Sequence, residues 1–450
     1  MPERAVGMRR PVSSVDFTDG CVVAAVGCAA FWGIDPFSLD LWRHPVLRHL
    51  PMAAAVAALL LSVAGRMIFR PQAMDEAGAA LRTYMGLTLF ALFVLAGSFY
   101  GKFVDGVTST YFAMGATVIL GGPANLWLIR TSSAPLAMIR AITAVFVAIS
   151  VLAVIMNAVQ FGELIFHSVE YLVLVAAGFP LLAARHLSFR VAGVVLMIVG
   201  TVAQNRLTGH LVVLMVLAWV FIDGLATRLA HDSDRLRATL RLYLGALGAL
   251  LCVTAAVVIY ESTRSLLPDG NVVYRQHMYQ MVWQRFLDSW VWGRAFTGSA
   301  VDYFDLYRVN STTQNLPTHN DLLDILANGG LLAAIPFALG LMSLIVLGWR
   351  TLRRTGSPGR QGSPESSALR PHLAMYFLIV VTGIPVMAFN PVLNQGSLAY
   401  VYWTATAVIC ALAWIAAGQP STWRQRPGFA VGAGPGPGRD PVRPARAGSR

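Results

Sequence analysis

The sequence predicts an all-α, polytopic integral membrane protein with about twelve transmembrane helices. Three observations predict it. Apolar residues make up 56% of the chain and charged residues 12%, with a mean hydropathy of +0.60. A water-soluble domain with so little charge could not cover its surface. Apolar runs of roughly 17–23 residues recur, the length that crosses a bilayer as a helix. Finally, the basic residues are asymmetric. With both termini cytoplasmic, about 25 of the 34 Lys and Arg fall on the cytoplasmic side and about 9 on the other, as the positive-inside rule requires.

In order, the runs lie near 17–34, 51–69, 84–100, 107–129, 138–160, 165–184, 189–204, 207–224, 242–261, 328–348, 372–390 and 397–417. Short loops join the first nine, so neighbouring helices should be antiparallel, and residues 1–261 form helices 1–9. Arg9-Arg10 resembles a twin-arginine signal only superficially. No cleavage site follows, so an uncleaved first helix is expected. Cys21, Cys28, Cys252 and Cys410 all fall within spans and read as small hydrophobes, not as a disulfide or metal set.

Residues 262–327 form the one long loop on the outer side. Within "YRQHMYQMVWQRFLDSWVW" (274–292), Met278, Val282, Phe286 and Trp290 recur at helical spacing. With Tyr279, Trp283 and Trp292 nearby, this is either a helix lying at the membrane interface or a loop helix packed on the spans below, and the two are compatible. Residues 328–417 hold helices 10–12. Between them, loop 349–371 contains "RRTGSPGRQGSPESS", flexible by composition. Residues 418–450, with "GAGPGPGRDPVRPARAGSR", read as a disordered cytoplasmic tail. The net charge of +12 belongs to this topology. No folded basic face with interleaved aromatics is evident, so no nucleic-acid partner is expected.

Three polar residues stand out at the outer face. Arg206, in "VAQNRLTGH", occupies the short connection between the seventh and eighth spans, where arginine is scarce. Arg275 begins the interfacial helix, and His319 begins the tenth span. After Pro317, Thr318 is a candidate N-cap with Asp321 at N3, a capping box with aspartate in place of glutamate. In the first helical turn, the dipole favours a neutral imidazole, which can accept a proton. The same helix start attracts phosphate. The plainer readings are a lipid-headgroup arginine and an interface histidine.

From about residue 190 to 415 the chain resembles the O-antigen polymerase and O-antigen ligase superfamily of bacterial inner-membrane glycosyltransferases. "THNDLLDILANGGLLAAIPF" resembles its HN-containing motif, and "YRQHMYQMVWQRFLDSWVWGRAFTG" its arginine, tryptophan, apolar helix and Gly-x-Gly pattern. "QNRLTGHLVVLMVLAW" resembles its Ser-Arg-Gly span opening, and "NPVLNQGSLAYVYWTATAVI" its last span. The chain departs from the pattern at Asn205 and Leu207, which flank Arg206, and at Ala295, where a second glycine is common.

The resemblance implies a GT-C-like glycosyltransferase architecture with its site facing the periplasm. The implied donor is an undecaprenyl-pyrophosphate-linked glycan, and the acceptor a second glycan (polymerase) or lipid A core (ligase). By carry-over, Arg206 and Arg275 hold the pyrophosphate, and His319 is the general base or orients the acceptor. Arg285 and Arg294 are further donor contacts. Asn320 and Asp321 either touch substrate and set the histidine, or Asp321 only caps. No cofactor and no metal is expected, since fixed arginines can supply the charge. A chain-length regulator or flippase is an implied partner.

A second class is a lipid-linked sugar flippase or exporter, which should place ionisable residues near the bilayer midplane. Glu163, His167 and Glu170 are the one group of that kind, and they also fit the outer interface. Asp232 and Asp234 in "HDSDR" form an Asp-x-Asp pair, but in a short basic cytoplasmic loop that reads as solvated. No phosphate-cradling glycine loop is present.

Overall fold

The computed structural model describes residues 16–33, 50–105, 111–161, 178–182, 186–202, 207–229, 270–297, 320–355, 364–389, 392–394 and 396–418, with isolated positions 236, 239–240 and 245. Every regular element among them is helical. The helices are α1 (Phe17–Gly33), α2 (Leu50–Phe69), α3 (Asp75–Thr83), α4 (Met85–Asp105), α5 (Phe112–Ile119), α6 (Asn125–Arg130), α7 (Pro135–Phe161), α8 (Gly178–Leu182), α9 (Leu187–Val202), α10 (Leu207–Leu229), α11 (Gly270–Asp288), α12 (Asp321–Thr355), α13 (Pro364–Phe389) and α14 (Gly396–Ala416). Among the described residues seven stretches are long and apolar enough to cross a membrane: α2, α4, α5 through α6, α7, α12, α13 and α14. Two shorter apolar helices, Phe17–Trp32 and Leu187–Val199, stand at the expected first and seventh spans. Of the expected sixth span only α8 is described, and of the expected ninth only position 245. The protein is a helical, multi-pass membrane protein.

α14 is the axis of the bundle. Every residue from Ser397 to Leu412 is buried, and α1, α5, α6, α12 and α13 all pack on it. A helix enclosed all round cannot leave polar groups to lipid or water, so they must pair internally. They do so across helices. The Asn125 amide donates to the Tyr400 hydroxyl and to Thr404 Oγ1, at 3.1 and 2.9 Å. The Tyr84 hydroxyl meets Thr406 at 2.7 Å. The chain facing this axis between α5 and α6 is a single π turn, Leu120–Ala124, built around Pro123. A proline removes a ladder donor, and the wider turn accommodates it.

At one end of the axis the bundle is closed by ions. Arg66, on α2 and 1% exposed, pairs with Asp19 of α1 and reaches Asp16 at 3.3 Å. Arg70 bonds Asp16 at 2.8 Å and the Thr131 carbonyl at 2.8 Å, and Ser132 donates to Asp19 at 2.6 Å. Beside them Arg130 pairs with buried Glu76 at 2.5 Å and lies over the Trp414 ring. Trp414 is near the C-terminal end of α14. The other end, about 30 Å away for a helix of 21 residues, is where α11 and the start of α12 lie.

The tenth span was expected at 328–348. It runs instead from Asp321 to Thr355 as two helical pieces broken at Gly330 (φ 55°, ψ −159°), a conformation open essentially to glycine alone. A break frees backbone groups that hydrocarbon cannot satisfy. The turn after α11 takes them up. Leu331 and Leu332 N–H donate to the Trp290 and Val291 carbonyls, both at 2.9 Å, and Phe296 N–H donates to the Asn328 carbonyl at 3.0 Å. Phe296 is fully buried and sits edge-on to Phe90, Phe93 and Tyr111. Gly97 and Gly101 of α4 let this turn approach: a Cβ at either would lie within 2.0 Å of the Ala295 or Thr297 carbonyl oxygen.

Candidate functional site

The candidate site, at the end of the bundle away from Trp414, is built on the first piece of α12, residues 321–329. Its N-cap is Asn320, whose Oδ1 accepts the Leu323 N–H at 3.0 Å. The expected capping box is therefore corrected. Asp321 stands at N1, not N3, and Thr318 lies outside the described residues. The reason is geometric: an N-cap oxygen reaches the N–H two or three residues on, and Asn320 takes that place, which frees Asp321 for a longer reach.

Asp321 uses that reach. It is fully buried, and its Oδ2 accepts the main-chain N–H groups of Val392 and Leu393, each at 2.6 Å. Its Oδ1 accepts from the Asn394 amide at 3.1 Å. The same amide donates to Asp324 Oδ2 at 3.2 Å. One turn further, the Asn328 amide donates to the Asp324 carbonyl at 2.9 Å and to the Tyr111 hydroxyl at 3.0 Å. Asp321, Asp324 and Asn328, at i, i+3 and i+7, thus form one polar stripe down the inner face of an apolar helix. Sequence reading singled out Asp321 but missed Asp324, Asn328, Asn394 and Tyr111. The signal was available in part: polar residues at helical spacing in a membrane helix mark an inward face.

The helix bearing Arg275 packs directly on this piece. Met278 and Val282 of α11 are buried against Ala327, with Tyr279, Met281 and Leu323 around them. Of the expected stripe, these two face the bundle, whereas Trp290 is 56% exposed. Trp283, Leu287 and Trp292 are exposed as well. So α11 packs on the spans with one face, while Trp283 on its other face and Trp290 and Trp292 in the turn that follows are exposed.

The structure places the sequence-predicted residues unevenly. Arg275 lies in α11, where the backbone is described but its side chain is not. Arg285 is half-buried in the last turn of α11, and Arg294 is exposed in the following turn. Asn320 and Asp321 are brought together as described. Arg206 and His319 lie outside the described residues, as do Glu163, His167, Glu170, Asp232 and Asp234. Cys21 and Cys28 are half-buried and Cys410 buried, all three as free thiols. Cys252 falls outside the described residues.

A bundle of apolar helices, with ion pairs at one end and a buried polar stripe at the other beside α11, defines a polytopic membrane protein. The class narrows further by comparison: residues 192–338 match the family model for O-antigen ligase. That match bears out the resemblance to the O-antigen polymerase and ligase superfamily over this part of the chain. No curated protein matches the chain.

Proposed function

We propose that this protein is a glycosyltransferase of the bacterial inner membrane that polymerises a surface polysaccharide at its periplasmic face. Its donor is a glycan on undecaprenyl pyrophosphate, and its acceptor is the terminal sugar of a second lipid-linked glycan. The supporting observation is that the family match, 192–338, spans Arg206, Arg275 and His319 together with all of α11 and α12 as far as residue 338.

In this reading the acceptor hydroxyl attacks the anomeric carbon of the donor. The bond from that carbon to the phosphate oxygen breaks, and undecaprenyl pyrophosphate leaves. His319 takes the hydroxyl proton as a neutral imidazole. Arg275 and Arg206 bind the pyrophosphate and stabilise the charge that grows on it, without a metal. Arg285 and Arg294 meet the outer parts of the donor. Asn320 and Asp321 organise the start of α12 rather than touch sugar, because their oxygens are already engaged. The exposed tryptophans keep α11 at the depth where a polyprenyl headgroup lies.

Transfer to lipid A core is the second reading, favoured by the description of the matched family model as O-antigen ligase. A deletion strain complemented with wild type, His319→Ala, Arg275→Ala and Arg206→Ala, at matched membrane levels, tests both. Each variant is expected to make protein but no mature glycan. Accumulated single repeat units mean a polymerase, and accumulated long lipid-linked chains mean a ligase. Full activity in His319→Ala removes the base assignment and favours a flippase or exporter.

A further inference from the structure

We propose that Asp321 is a positioning residue. It latches the 392–394 turn, between the last two spans, to the first turn of α12, whose N-cap Asn320 follows His319 directly in the sequence, and so acts on proton transfer through the start of that helix. The inference rests on the function proposed above and assigns a part of the machinery that the three-residue reading lacks.

The chemistry of the latch is specific. Capping is already done by Asn320, so the helix does not need a second carboxylate for its N-terminus. An aspartate serving only the helix dipole would also work exposed to water. Asp321 is instead fully buried, which costs several kcal/mol unless donors replace the lost water. Two successive main-chain N–H groups converge on one of its oxygens, a small anion nest. The Asn394 amide holds the other oxygen and bridges to Asp324. Apolar packing in the same place could give as much stability. What the latch adds is register: it locks together two segments more than 70 residues apart in sequence. The 321–329 piece is then held on three sides. The 392–394 turn grips its start, Tyr111 meets Asn328, and the turn after α11 clamps its end at Gly330. All this rigidity is placed immediately after His319, two residues before Asp321. A proton acceptor must be held within a fraction of an ångström of its working position.

The experiment uses the full-length protein in proteoliposomes. The donor is lipid-linked glycan extracted from a strain lacking this gene, and rates are taken per folded protein. Asp321→Asn keeps one oxygen for Val392 and Leu393 but sets an amide N–H group against that of Asn394. Its kcat is expected to fall about tenfold or more, while KM for the donor stays within about twofold. Asn394→Ala should shift kcat in the same direction by less, and Arg275→Ala should raise KM for the donor as well as lower kcat. Adding Asp321→Asn to His319→Ala should slow the residual reaction no further. A folded Asp321→Asn protein with wild-type kcat overturns the inference. So does a rise in KM at unchanged kcat, which would make Asp321 a donor contact. If Asp321→Asn does not fold, Asn394→Ala decides by the same division of kcat from KM. Wild-type protein that makes no product from this donor removes the function proposed above, and the latch with it.

Discussion

The two ends of α14 both bury carboxylates, and they hold them in opposite ways. At the end near Trp414, Asp19 is balanced by a buried arginine, with Asp16 shared between Arg66 and Arg70. At the other end Asp321 is held by amide donors, two of them from the main chain. An arginine pair neutralises charge and closes a bundle end. Amide donors hold a carboxylate without neutralising it and fix the backbone that supplies them. The difference divides the molecule into an end built to stay shut and an end built to hold a shape.

The largest effect should come from opening the shut end. Arg66→Ala leaves Asp19 buried without its cation, and the loss is expected to be about 3–5 kcal/mol. It would be read as a lower unfolding temperature in detergent and less protein in the membrane. A double variant with Asp19→Ala should regain most of it, because no uncompensated charge remains. A wild-type unfolding temperature in the single variant would erase the contrast between the ends.

Next comes the break in α12. At Gly330 a Cβ would lie 2.4 Å from the Val291 carbonyl carbon and oxygen, on top of a backbone conformation only glycine adopts comfortably. Gly330→Ala should therefore cost about 3 kcal/mol and disturb the bonds from Leu331 and Leu332 to the turn after α11. Gly20→Ala is the control, since nothing lies within 4 Å of its Cβ position in α1. Equal unfolding temperatures for the two variants would mean that the break carries no strain.

These two cases also mark what was legible in the sequence. The spans were legible because a bilayer imposes a length, and seven helices among the described residues answer to it. The α11 helix was legible from its spacing, since Met278 and Val282 are buried as that spacing required. The break at Gly330 was not, because "ANGGLLAA" reads as an unbroken apolar helix until the turn at 290–296 is brought against it. Asp321 was read locally as a cap, and its partners proved to lie at 392–394. Arg66 sat inside an apolar run without being singled out. A charge in such a run predicts a buried partner, but periodicity cannot name Asp19, 47 residues away. Arg206 and His319 stay where the sequence put them, as proposals.

A smaller effect, of opposite sign, is expected at Ala295. The family pattern favours glycine there, and Ala295 has φ 52°, in the left-handed region. Ala295→Gly relieves roughly 1–2 kcal/mol of backbone strain, partly offset by the greater freedom of glycine in the unfolded chain. The net outcome is a stabilisation under about 1 kcal/mol, seen as a slightly higher unfolding temperature with activity kept. A fall instead would show that the Ala295 methyl supports the turn that braces α12.

The smallest effect concerns pH at the arginine end. Burial tends to raise the Asp16 pKa. Hydrogen bonds from the Thr18 hydroxyl and the Asp19 N–H, with the Arg66 and Arg70 charges, outweigh it and hold the carboxyl below its usual 3.8. A carboxylate depressed in the folded state stabilises the fold fully above its unfolded value, and that contribution is lost as pH falls through the lower, folded value. The network should thus hold through neutral pH and weaken only below about 3.8. With the Asp16 side chain 31% exposed, solvent screening keeps the contribution under about 1 kcal/mol. Unfolding temperatures of wild type and Asp16→Asn, measured from pH 7 downward, should differ modestly at first and converge in the acid range. A gap that widens toward low pH would mean that Asp16 is not held as a carboxylate, and the contrast between the two ends of α14 would lose one of its ion pairs.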